Sequence, residues 1–302
     1  MISLRQHVSS LVAVFLALAV GIALGGGLLG GDDDEPDDQS ATSSSDAPEP
    51  TTTGAASYAD AFAAAGAARL YAAGLDGHAV AVLSLPGAEP AQIKSVTAQV
   101  IAAGGAITGT YVVGDALLEP SQKELVDTQG SQLATQLADP RIDPAATTYD
   151  RMGALIALAM STDQVSSVRA DPAAVAIRQA LADAEVLTSP ADVRNAPLIL
   201  VVLPTGTKGA ADNLATKTIL SGLVNGLATN SAGVVVTGDS ESAADGELAA
   251  LRSSELVGAI STVDGLETAI GQVTAILALT HVLLGTGGAY GALGADGPVP
   301  LG

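Results

Sequence analysis

The side chains soft enough to hold a transition metal are few: Met1, Met152, Met160, His7, His78 and His281, with no cysteine in the 302 residues. Cu(I) favours thiolate, thioether and imidazole ligands, and Cu(II) favours imidazole. Without cysteine there is no thiolate nucleophile, no Cys-type zinc site and no thiolate copper site. Met152 and Met160 stand eight apart, about 80° around a helix, with Ile156 between them. That spacing suits either a shared soft site or, more commonly, the filling of a core. His78 precedes a strand, His281 falls in the last helix, and His7 lies at a membrane edge; no H-x-H or M-x-x-M run occurs. The metal ligands therefore remain unknown from sequence.

Catalytic motifs are equally sparse. No G-x-G-x-x-G follows a strand, and no G-x-S-x-G elbow is present. Pro204-Thr205-Gly206-Thr207-Lys208-Gly209 occupies the place of an anion-binding strand-to-helix loop but is not a P-loop. Asp115 and Asp239 follow strands, at the sheet end where ligands bind. Loop-tip carboxylates are ordinary there, so the expectation is a non-enzyme with no catalytic residue and no resident cofactor.

The elements that would position these residues begin with an anchor. Residues 1–7 form a short stub. Val8 to Gly31, VSSLVAVFLALAVGIALGGGLLGG, carries no charge over 24 residues. At about 1.5 Å per residue, roughly 20 apolar residues cross a ~30 Å hydrocarbon core. A transmembrane helix is the expectation; a cleaved signal peptide ending near Ala17-Leu18-Ala19 is the competing reading, against which the run is long. Arg5 before the run and Asp32-Asp33-Asp34-Glu35 after it place the N-terminus in the cytoplasm and the rest outside. Residues 32–56 are acidic and rich in Pro, Ser and Thr, a disordered spacer of at most about 85 Å. The net charge is −20, and eight of the acids fall between Asp32 and Glu49. The acidic remainder repels phosphate backbones, so no nucleic-acid partner is expected.

Residues 57–286 alternate between two periodicities. Tyr58, Phe62 and Ala65 mark a first helix. AVAVLSL at Ala79 to Leu85, a helix from Pro90 to Ala103 and a strand from Ala106 to Val113 make a βαβ unit. Helices follow, one opened by a capping box at Ser121 to Glu124. PLILVVL, GVVVT and Val257 to Thr262 are further strands, interleaved with helices. Asp264 and Glu267 cap a closing helix, and residues 287–302 read as a flexible Gly/Pro-rich tail. The pattern predicts an α/β fold, doubly wound and flavodoxin-like, with five or six strands in a mostly parallel sheet.

The chain resembles the MctB family of actinobacterial copper transport proteins. The likeness rests chiefly on MISLRQHVSSLVAVFLALAVGIALGGGLLG, and returns in AGGAITGT at Ala103, AISTVD at Ala259 and IGQVTAILALTHVLLGTGGAYG at Ile270. The resemblance implies a membrane-anchored envelope protein of copper efflux and homeostasis, pore-forming or associated with an outer membrane. One helix cannot form a pore, so a channel would require a homo-oligomer. Family members usually carry a coiled coil between anchor and α/β domain, where this chain has an acidic spacer and a short helix. The alternative is a non-catalytic scaffold that regulates cell-wall hydrolysis at division through an envelope protein partner. Expected partners are thus the membrane, copper ions and another copy or an envelope protein.

Overall fold

In a computed structural model, residues 52–190 and 194–300 are described. The stub, the apolar run Val8 to Gly31 and most of the acidic spacer lie outside them. No described helix is long and apolar enough to cross a membrane.

The described chain folds as α1 (Thr52–Tyr71), β1 (Ala79–Ser84), α2 (Pro90–Ala102), β2 (Ala106–Val113), α3 (Asp115–Leu118), α4 (Lys123–Leu137) and α5 (Thr148–Met160). Then come β3 (Val168–Arg169), α6 (Pro172–Asp183), β4 (Leu187–Thr188), β5 (Arg194–Asn195), β6 (Leu198–Val202) and α7 (Leu214–Ala228). The last elements are β7 (Gly233–Thr237), α8 (Ser240–Asp245), α9 (Glu247–Arg252), β8 (Ile260–Val263), α10 (Ala269–Val282) and β9 (Gly288–Tyr290). Seven strands form one sheet in the order β4-β2-β1-β6-β7-β8-β9; β3 and β5 pair separately. All neighbours in the large sheet run parallel except β4, which runs antiparallel to β2.

The mixed α/β fold with a mostly parallel sheet is as expected. Every residue of the central strands β1, β6 and β7 is buried, because both faces of the sheet are covered. Ala81 and Leu83 of β1, Ile199 and Val201 of β6, and Val234 and Val236 of β7 enter one core with α4 to α7. Val80, Val82, Leu200 and Val235 enter the other, beneath α1, α2 and α10. The parallel strands β2-β1-β6-β7-β8 follow the flavodoxin-like order, so the winding reverses between β1 and β6.

Several expectations change. The acidic spacer was expected to reach residue 56, but α1 begins at Thr52. The side of α1 that packs is Ala63, Ala67 and Tyr71; Tyr58 and Phe62 are 74% and 69% exposed. The expected capping box is not made: Pro120–Gln122 is a 3-10 turn and α4 starts at Lys123 with no side-chain cap. Thr268, not Asp264, caps α10, accepting from Gly271 N at 3.0 Å. The supposed tail contributes β9, which pairs with β8 from Ser261–Gly288 to Val263–Tyr290. Periodicity did not show this strand because three residues are too few to display one.

Candidate functional site

A crevice of about 560 Å³ opens where β1 and β6 part, at the C-terminal ends of the strands. This is the place at which open α/β sheets bind ligands, because the loops on either side diverge. Its lining is aliphatic at Leu85, Leu118, Ile219 and Leu220. It is polar at Asp115, Glu119 and Glu247, with the hydroxyl-bearing Thr205, Thr207 and Thr216. Two loops meet at its floor: Gly87 has φ +85°, and a Cβ there would lie 3.1 Å from Pro204 Cβ.

Asp115 of the two expected loop-tip carboxylates lines this crevice, exposed in the first turn of α3. Asp239 does something else. It is 7% exposed, caps α8 by accepting from Ser242 N at 2.6 Å, and accepts from Gly206 N at 3.3 Å. The Pro204 to Gly209 loop does present backbone N–H groups, but carboxylates of this chain accept them. Thr207 N donates to Glu247 Oε2 at 2.9 Å, and Gly209 N donates to Asp245 Oδ2 at 3.1 Å. An anion-binding nest is therefore filled from within.

A second cavity, about 490 Å³, lies between α1, the end of β8 and the first turn of α10. Asp60 of α1 accepts from Ala269 N at 2.5 Å and Ile270 N at 3.2 Å, fastening α1 to α10. Asp264 sits at this edge almost wholly buried. It pairs with Arg252 Nη1 at 2.9 Å and accepts from Ala292 N at 2.7 Å and Leu293 N at 3.1 Å. Arg252 also donates to Tyr290 O at 2.7 Å, so the group is closed on itself.

The soft donors do not converge. Met152 and Met160 are fully buried in the apolar core around α5. His78 Nδ1 lies 3.0 Å from Val165 O, and His281 lies beside Tyr290 with ring centroids 6.0 Å apart. Among the described residues no group of three or more His, Asp or Glu is placed to hold a metal ion.

The profile of the family described as copper transport outer membrane protein, MctB, matches residues 1–300. The chain belongs to the MctB family. Two relatives named Copper transporter MctB, from Mycobacterium tuberculosis and Mycobacterium bovis, are 30% identical over 197 residues. That similarity covers 61% of this chain and 58% of each relative's length. The match to the MctB family takes in both the apolar run and the sheet.

Proposed function

We propose that the protein acts in copper efflux and copper homeostasis at the cell envelope, anchored by Val8 to Gly31 with its α/β domain outside the cytoplasm. The observation that carries this reading is the family match across residues 1–300, which joins an uncharged span to the folded domain. Copper is the cargo in this reading, and the domain is a non-enzymatic module. Its two non-initiating methionines are spent in the core, so a conduit for copper would be built by several copies around their spans rather than through the sheet. A strain lacking the gene should become copper-sensitive and accumulate intracellular copper; unchanged copper content in that strain overturns the proposal.

A scaffold role is the second reading. It is favoured by the absence, among the described residues, of a metal-holding group, together with a crevice at the sheet's ligand-binding edge. Septation defects without a copper phenotype, and an envelope protein that co-purifies with the chain, would select it.

A further inference from the structure

Aromatic side chains are scarce in this chain, two phenylalanines and five tyrosines in 302 residues. Of the six among the described residues, Tyr71, Tyr111, Tyr149 and Tyr290 are buried. The other two, Tyr58 and Phe62, stand one turn apart on α1 and face solvent. Ala55 and Ala65, both exposed, extend them into a stripe spaced by three, four and three residues. That is the spacing of a seam between two helices, and aromatic residues are enriched where proteins meet. The opposite side of α1, at Ala63, Ala67 and Tyr71, already packs on its own domain, so the fold does not use the stripe.

Charge and tether together name the occupant. The chain carries a net charge of −20, so two copies repel over most of their surface. Helix α1 holds only Asp60 and Arg69, and Asp60 is turned to the backbone N–H groups of Ala269 and Ile270. The stripe from Ala55 to Ala65 is therefore free of charge, a place where like-charged copies can touch. It is also small, about 15 Å long, and stable soluble partners bury about 1,200–2,000 Å². A freely diffusing protein gains little from it. Only residues 32–51 separate α1 from the apolar run Val8 to Gly31, a reach of at most about 70 Å. Copies held in one membrane by that run meet at a high local concentration, where a weak contact suffices. We infer that the stripe of α1 docks on the same stripe of a second copy. The helices lie side by side in one direction, with Phe62 at the centre and Arg69 beyond the contact. The inference rests on the anchored, several-copy reading above and gives it a contact surface.

Because the chain has no cysteine, one introduced thiol reports the contact. Membranes carrying the full chain with Ala65→Cys are oxidised with diamide and run on a non-reducing gel. A disulfide-linked dimer is expected. Adding Tyr58→Gln and Phe62→Gln, which keep good helix formers at exposed sites, should cut the dimer by about tenfold or more and leave the urea midpoint unchanged. Ala176→Cys, exposed on α6, should stay monomeric. No dimer from Ala65→Cys, an undiminished dimer in the glutamine variant, or an equal one from Ala176→Cys overturns the pairing. So does a cross-link whose mass spectrum shows a different protein. A carbonate wash of the same membranes separates the two readings. Retention in the pellet without the dimer sinks the pairing alone, and release with the dimer kept sinks the anchor alone.

Discussion

Asp264 is the least exposed carboxylate in a sheet edge full of backbone donors, and its value lies in its pairing. Removing one partner of a buried ion pair leaves the other uncompensated and costs about 3–5 kcal/mol. Asp264→Ala should therefore lower unfolding free energy by about that much, measured by urea denaturation, because Arg252 would be left with only Thr262 and the Tyr290 carbonyl. Four tyrosines set an alkaline limit. Burial raises the pKa of Tyr71, Tyr111, Tyr149 and Tyr290, at Tyr111 against a smaller opposing pull from Arg178. A raised folded pKa favours the neutral phenol, so this stability is complete below the unfolded value of about 10 and is lost as pH climbs beyond it. Urea midpoints should fall above about pH 10, with tyrosinate absorbance rising in the same transition. On the acid side, the Thr148 hydroxyl holds Asp127 low and the Arg141 guanidinium holds Asp139 low. Their contribution is present above about pH 4 and fades as pH falls through the depressed values. Little of this is legible in sequence. Asp264 read as a helix cap because it stands before a helix with Glu267 three residues on, and only the fold reveals Arg252 beside it.

At the scale of elements, α5 and α7 cross backbone to backbone through glycine. A Cβ on Gly153 would lie 2.2 Å from Leu223 O, and one on Gly226 would lie 2.2 Å from Asp150 O. Alanine is the better helix former, yet here it would force the helices apart. Gly226→Ala should destabilise by about 1–3 kcal/mol, read as a lower urea midpoint with unchanged slope. The fastening of α1 is lighter. Asp60→Ala removes a cap supplied from another helix and should cost about 1 kcal/mol. Hydrogen exchange should quicken at Ala269 and Ile270 while β6 and β7 stay protected. Long periodic elements were legible: the stripe of Leu220, Leu223, Val224 and Leu227 is buried as expected. For α1 the aromatic side misled, because Tyr58 and Phe62 advertise a core-facing stripe that the smaller Ala63 and Ala67 supply.

At the scale of the whole described domain, the sheet is buried on both sides, and this much the largely apolar runs at Ala79, Pro197 and Gly233 made plain. Strand order was not legible, because parallel strands of like composition carry no label for their neighbours. The crevice was invisible for the same reason, since its walls come from residues as far apart as Leu85 and Glu247. The proposed anchor has its own check. Alkaline carbonate washing should leave the chain in the membrane pellet, whereas release into the wash would refute anchoring by Val8 to Gly31. The two flanks of the sheet are closed differently. One is a two-residue antiparallel strand; at the other, Asp296 takes both outward groups of Ala289, its N–H at 2.8 Å through the carboxylate and its carbonyl at 2.9 Å through its own N–H. Shortening the polypeptide at Thr286, the natural choice for anyone who trusts the glycines there, would strip that seal from β8. An open parallel border is adhesive; such a shortened product should clump during purification, with light scattering rising as its concentration does.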